Sequence, residues 1–363
     1  MNTNPRSKIN ALQLFVMLFL SRIAIIFTVN SQSVGEENFL DHILSSFLLM
    51  LTLFLLVIPL EILNRKHPEH SIPSLAIENS GVFGKLIAVL YVVYFVLNNI
   101  VSLSLFLTLV INTANPTASR WSIAAILILI AAFGAEKGIE TVSRASICVF
   151  FLLMLGFLAI FTALAPRVET RYMEPILTDG VSHLIRGFVY FFSRCSSLAE
   201  IAIFMPYVLG RKRIGFTVWN VGVPLLFGVL LFFTVTCLGE YAYLQVFPVY
   251  TLSTLAEIIG IQRLDALLIG LSMMTLVIRL SCGFLAVRNC WPFPGHKLFS
   301  GTGLLAAVAG ITATAALWIT NSSERTGILF KSGYLLIFTG LVSFVIPVCV
   351  LISDKIKKRS VKA

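Results

Sequence analysis

The chain is 363 residues long, 58% hydrophobic and only 12% charged, whereas a soluble chain of this length would hold roughly two or three domains and about a quarter charged residues. No aqueous globule covers that much apolar surface, so the solvent must be lipid. The net charge of +10 comes from basic residues placed singly or in short runs between apolar stretches, which points to membrane topology rather than to nucleic acid.

A helix crosses the hydrocarbon with about 20 apolar residues. Ten stretches qualify: 10–30, 41–63, 85–112, 121–135, 145–165, 182–209, 216–238, 264–286, 301–320 and 332–353. The fourth is short and needs its flanks. The first follows Arg6 and Lys8 like a signal peptide, but it carries Arg22 and ends at Asn30-Ser31-Gln32 without a small-x-small site, so it reads as an uncleaved span. Residues 248–262 are expected to form a short helix at the outer surface before the eighth span. The expectation is an all-α integral membrane protein of about ten transmembrane helices in one domain over 1–363, closed by a basic tail at 354–363.

Lysines and arginines orient the spans. With the N-terminus inside, seventeen fall on inner segments and seven on outer ones, so both termini are expected in the cytoplasm under the positive-inside rule. Ten spans divide into five plus five, with halves of roughly 1–170 and 171–353; an odd number per half inserts the halves in opposite orientations, as in inverted-repeat transporters. That architecture breaks the first helix of each half at the binding site, here the first and sixth spans. Their centres read Leu20-Ser21-Arg22-Ile23 and Phe192-Ser193-Arg194-Cys195-Ser196-Ser197. Ser-Arg also occurs at 119–120 and 143–144, so it is a suggestive repeat signal only.

Charge at a helix centre costs about 2.5–3.5 kcal/mol on insertion scales, so these residues must face a cavity or a partner. Arg22 lies roughly 18 Å from the inner end of its span at 1.5 Å per residue, and Arg194 is comparably deep from the other side. Glu200 shares a face with Arg194 only if the sixth span is interrupted; it could then pair with Arg22, with a ligand or with a proton. A buried ion pair that locks helices is the competing reading. Arg279, closer to the inner face, reads as internally paired or snorkelling. Asn98 and Asn99 either hydrogen-bond between helices or meet a ligand.

The candidate ligand-binding set is Ser21, Arg22, Ala24, Asn98, Asn99, Ser193, Arg194, Ser196, Glu200 and Thr275; Arg144, Arg263, Asp265 and Arg279 are candidates for structural or gating roles. Five cysteines sit in apolar stretches and Cys290 in a loop, without metal-ligand spacing. The histidines lie in loops or at span ends, and His67-Pro68-Glu69-His70 is too short and proline-bound for a metalloprotease helix. No Walker loop, dinucleotide fingerprint or nucleophile elbow is present, so neither an enzyme nor a cofactor or metal is expected.

Several loop-edge patterns together resemble one family. They are Ile72-Pro73-Ser74-Leu75 with Gly84-Lys85; Gly138-Ile139-Glu140-Thr141-Val142-Ser143-Arg144; Glu174-Pro175-Ile176-Leu177 with Gly180; Glu200-Ile201-Ala202-Ile203-Phe204-Met205-Pro206; and Phe247-Pro248 with Gln262-Arg263-Leu264-Asp265. In this order, and over nearly the whole chain, they resemble the B subunits of spore nutrient-germinant receptors, the endospore germination permeases of the amino acid–polyamine–organocation superfamily. The resemblance implies an inner-membrane sensor that binds a small nutrient, often an amino acid, works with an A subunit and a lipoprotein C subunit, and begins germination. A proton-coupled amino-acid transporter on the same scaffold is the alternative. Two positions depart from the family: Ser21-Arg22-Ile23-Ala24 replaces a Gly-x-Gly stretch, and Gln262 stands where Glu is usual. Arg22 could replace the lost backbone site by pairing with an anionic ligand, or be neutralised by Glu200.

Overall fold

The computed structural model describes residues 8–29, 39–173, 180–210, 212–257, 264–293, 301–330 and 333–360. Each of the ten apolar stretches holds a helix. Strand β1 (Ile9–Asn10) leads into α1 (Ala11–Ile26), which buries all but three of its sixteen residues. A helix apolar all round belongs in a core, and α1 packs against four later helices at once.

Next, α2 (Phe39–Leu56) and α3 (Ile58–Lys66) form one apolar run, offset at Val57 because Pro59 near the start of α3 cannot donate a backbone bond. Helix α4 (Ile72–Ser80) is capped by Ser71, whose hydroxyl accepts from the Ser74 amide, and folds back on α5 (Val82–Leu109). Gly84 lets the two backbones touch, since a Cβ there would lie 2.2 Å from the Ala76 carbonyl oxygen. A single residue, Gly138, joins α6 (Arg120–Lys137) to α7 (Ile139–Leu164), and its φ of +98° is readily adopted only by glycine. The two family-like patterns here are therefore a close backbone approach and a one-residue turn.

The second half opens with α8 (Val181–Ser193), a break at 194–196, and α9 (Ser197–Phe204). Strand β2 (Val208–Leu209) then pairs in parallel with β1, Ile9 opposite Val208 and Asn10 opposite Leu209. After it come α10 (Lys212–Leu238), α11 (Pro248–Leu255), α12 (Asp265–Cys290), α13 (Thr302–Thr320), α14 (Ser323–Phe330), α15 (Gly333–Gly340) and α16 (Ile346–Ser360). A wide turn at Leu341–Val345 separates α15 from α16; Pro347 follows it, and Tyr91 donates to the Val342 carbonyl at 2.9 Å.

Among the described residues, eight helices are long and apolar enough to cross a membrane. Helix α1 falls short by length, and α6 carries Arg120, Glu136 and Lys137 at its ends. Helix α1 lies against α7, α9, α10 and α12, while α12 packs on α5 and α7. Outward faces such as Leu129, Ile130 and Phe133 on α6, or Phe151, Leu155 and Leu158 on α7, are exposed and apolar, as a lipid boundary requires.

Three expectations need correction. The first helix is not broken: α1 runs continuously through Ser21 and Arg22, because no Gly or Pro between Ala11 and Ile26 interrupts its bonds. Only the sixth expected span is interrupted where the serine-rich centre was read. Cys290 is not in a loop but ends α12, buried; Cys195 and Cys282 are buried too, whereas Cys148 and Cys349 are exposed. Arg279 does not snorkel; it is 4% exposed in the core. Arg263, Gln262 and Glu174-Pro175-Ile176-Leu177 lie outside the described residues.

Candidate functional site

The break in the α8–α9 helix frees backbone groups, and its neighbours take them up. The Ser193 carbonyl accepts from Thr339 Oγ1 at 2.8 Å, and the Cys195 carbonyl accepts from the Tyr94 hydroxyl at 3.4 Å. Helices α5 and α15 thus replace the bonds that a continuous helix would have made. Ser196 precedes α9, and its hydroxyl donates to Glu200 Oε1 at 2.7 Å.

Across from the break, α1 presents Ser21, whose hydroxyl donates to the same Glu200 oxygen at 3.0 Å. Arg279 of α12 closes the group. Its Nη1 donates to the Ser21 carbonyl at 2.7 Å and to Ser21 Oγ at 3.3 Å, its Nε to Ser102 Oγ at 2.6 Å, and its Nη2 to Asn98 Oδ1 at 3.4 Å. One carboxylate, one guanidinium and four small polar side chains therefore join α1, α5, α9 and α12 in a continuous network. Every member is buried, so its strength depends on its completeness.

Ala24, Thr28, Asn98, Ser102, Arg194 and Arg279 line one enclosed cavity, with Ile25, Val101 and Leu105 as its apolar wall; it has room for about one water. Arg194 lies at the break with its guanidinium 3.8 Å from the centre of the Tyr190 ring, a cation–π contact. On the other side of α1, Arg22 borders a second small cavity with Ser46, Phe191, Val223 and Phe227, and donates to Cys195 Sγ at 2.8 Å.

The expected residues divide accordingly. Ser21, Ala24, Asn98, Arg194, Ser196 and Glu200 come together, joined by Arg279 from the structural set. Glu200 forms no ion pair with Arg22 or Arg194 among the described residues, because α1, unbroken, aims Ser21 rather than Arg22 at it. Asn99 instead links helices, donating to the Leu280 carbonyl at 3.4 Å over Gly283. Ser193 and Thr275 donate to carbonyls of their own helices, those of Tyr190 and Ser272. Arg144 pairs with Glu140 one turn earlier on an exposed helix start. Asp265 accepts from the Tyr250 hydroxyl at 3.0 Å, fixing α11 to the start of α12.

Ser102, Tyr94, Tyr190 and Thr339 escaped the sequence reading. Ser102 carried a signal, since it stands one turn after Asn98 on the same face. Thr339 carried none, because its role exists only once α15 meets the break.

An all-helical bundle around a broken helix, with charge buried at its centre, defines a multi-pass membrane protein of the permease class. Its fold matches that of a Na+-coupled sialic acid symporter in a substrate-bound outward-open state: the TM-score is 0.67, over 94% of this chain and 80% of that one, at 14% identity. The spore germination protein family model matches residues 8–325, and the chain belongs to that family of membrane spore germination permeases. A Bacillus subtilis (strain 168) protein named for spore germination, YfkT, is 25% identical over 182 residues. That match spans about half of each chain, 49% of this one and 49% of YfkT. Permease membership implies a protein that is not an enzyme.

Proposed function

We propose that this chain is the membrane subunit of a spore nutrient-germinant receptor, and that it binds a small carboxylate-bearing nutrient, an amino acid, at the broken helix. The observation that carries this reading is the position of Arg194: its guanidinium lines the central cavity at the point where α8 ends, beside Arg279, whose network Glu200 joins. A ligand carboxylate would meet Arg194 there, since guanidinium groups bind carboxylates bidentately. Arg194 is the anchor, since it stands where α8 unwinds. A cavity with room for about one water admits an amino acid only when helices around the break move apart, so binding and conformational change are coupled.

The rest of the reading follows the family. Ten helices form a single domain of two oppositely inserted halves of five, with α1 and α6 as the short spans and both termini in the cytoplasm. The spore inner membrane houses the chain beside an A-type and a lipoprotein C-type subunit. The same scaffold also serves a second reading, a proton-coupled amino-acid transporter in which Glu200 carries the proton.

One experiment tests both readings. The gene is deleted in the spore-forming host, and an Arg194→Gln version is returned. Germination against a panel of amino acids, their amides and sugars is scored beside amino-acid uptake by vegetative cells. The receptor reading expects deletion to abolish the response to one carboxylate nutrient class with uptake unchanged, and Arg194→Gln to raise the concentration needed by about tenfold or more, about 1.4 kcal/mol. Lost uptake favours the transporter. An equal response to acid and amide overturns the carboxylate anchor.

A further inference from the structure

We propose that Arg279 is a tethered cation: its guanidinium occupies an oxygen-lined position between α1, α5 and α12 that would otherwise suit an alkali-metal ion, so this protein holds its first helix to its eighth apolar span without a metal. The oxygens around it are a backbone carbonyl (Ser21), two hydroxyls (Ser21 and Ser102) and an amide oxygen (Asn98), at 2.6–3.4 Å from its nitrogens. Neutral oxygens of these kinds, converging from two helices, are the donor set that hard cations take in proteins. The balancing charge is also in place. Glu200 reaches the cluster through Ser21 Oγ, a single hydroxyl between the carboxylate and the guanidinium.

Two features separate this role from the ligand anchor proposed above. All three guanidinium nitrogens of Arg279 already donate to protein oxygens, so its fork is committed to holding helices. Its contacts also run to α1, whose Ser21 carbonyl it meets at 2.7 Å inside an unbroken helix, and to α5, rather than to the break. A metal ion in this position would add a positive charge beside a guanidinium, at a cost that low dielectric magnifies. The residues present therefore do not fit an alkali-metal ion. A fixed charge cannot leave, so the contact between α1 and α12 would not respond to the salt outside.

The test needs no nutrient and no germination, so it stands apart from the receptor reading. Full-length wild type, Arg279→Ala and Arg279→Lys are purified in detergent, and melting is followed in sodium, potassium or choline chloride at equal ionic strength. Millimolar methylguanidinium, far below denaturing levels, is added in parallel. Wild type is expected to melt within about 2 °C in all three salts, whereas a bound metal would shift it further. Arg279→Ala is expected to melt at least about 5 °C lower and to recover at least half of that loss with methylguanidinium or sodium, but not with choline. Arg279→Lys should remain indifferent to sodium. Sodium stabilisation of wild type overturns the proposal, as does an Arg279→Ala loss that no small cation reverses. Should Arg279→Ala fail to accumulate, sodium stabilisation of wild type or of Arg279→Lys overturns it, and indifference of both supports it.

Discussion

Helix α1 and the α8–α9 pair each carry Ser-Arg near the centre, yet one is straight and the other broken. The difference lies in what each serine meets. Ser21 stays helical, and its carbonyl and hydroxyl both engage Arg279 while the hydroxyl also reaches Glu200. Ser193 ends its helix, and its carbonyl turns to Thr339. The dipeptide alone therefore specifies neither state. Three serines within five residues weaken α8–α9 locally, since serine hydroxyls compete for backbone groups, and two outside donors, Thr339 and Tyr94, stabilise the opened form. The lesson is that a helix break in a membrane protein belongs as much to the helices that cap it as to the sequence that breaks.

The most damaging way to break this comparison is to remove the carboxylate that both regions share. Glu200→Ala would leave Arg279 without a counter-charge and both Ser21 and Ser196 without their acceptor. Breaking a buried charge pair from one side costs about 3–5 kcal/mol, so protein in spore membranes should fall to a small fraction of wild type on immunoblots. Glu200→Gln loses the charge but keeps shape and an acceptor oxygen, so abundance should fall far less than in Glu200→Ala. The same variant should raise the nutrient concentration for germination by about tenfold or more, because the network that joins α1 to the break has lost its charge. If abundance and response fall together in Glu200→Gln, Glu200 is only a counter-ion to the helices.

The break itself can be tested next. Thr339→Val keeps volume and removes the donor to the Ser193 carbonyl, which is buried far from water. An unsatisfied buried carbonyl costs about 1–3 kcal/mol. Melting of the purified variant should drop by several degrees, with wild-type stability in a matched Thr→Val change at Thr314, an exposed threonine bonded only within its own helix. Equal behaviour of the two variants would show that α15 does not support the break.

Much of this arrangement was legible in the chain, for identifiable reasons. The helices follow from runs of apolar residues whose length is set by the bilayer. Gly138 and Gly84 stood out only as parts of family-like patterns, and their roles as a turn and a close approach needed the structure. Arg194, Glu200, Asn98 and Ser21 stood out because polarity in lipid must be balanced. What the sequence hid was direction. Arg22 and Arg279 are equally conspicuous as buried charges, but which one faces Glu200 depends on whether α1 unwinds, and that is decided by packing against α7, α9, α10 and α12. Arg22 was one of the partners open to Glu200 once the sixth span was interrupted, but the unbroken α1 turns Ser21 to the carboxylate instead. Thr339 and Tyr94 were invisible for a related reason: a threonine or tyrosine in a span is ordinary until a free carbonyl stands opposite it.

The smallest effects belong to the two hydroxyls that reach Glu200, and they test how the regions are coupled. Ser21 and Ser196 donate to the same oxygen, at 3.0 and 2.7 Å, one from the straight helix and one from the start of α9. Loss of either leaves the other donor in place. Ser21→Ala also retains the carbonyl that Arg279 holds at 2.7 Å, so each single variant should cost about 1 kcal/mol or less. The double variant differs in kind. With both hydroxyls gone, Glu200 Oε1 loses every hydrogen bond described for it, in a site 2% exposed, and the path from carboxylate to Arg279 through Ser21 Oγ is cut. The penalty of leaving a buried charge undonated appears only then. A double-mutant cycle on melting should therefore give a coupling of about 1 kcal/mol or more, the double costing more than its parts. Strict additivity would mean that α1 and the break are stabilised separately, and that the shared carboxylate does not join them. The sign of the coupling thus decides whether the two unlike helices form one switch or two independent supports.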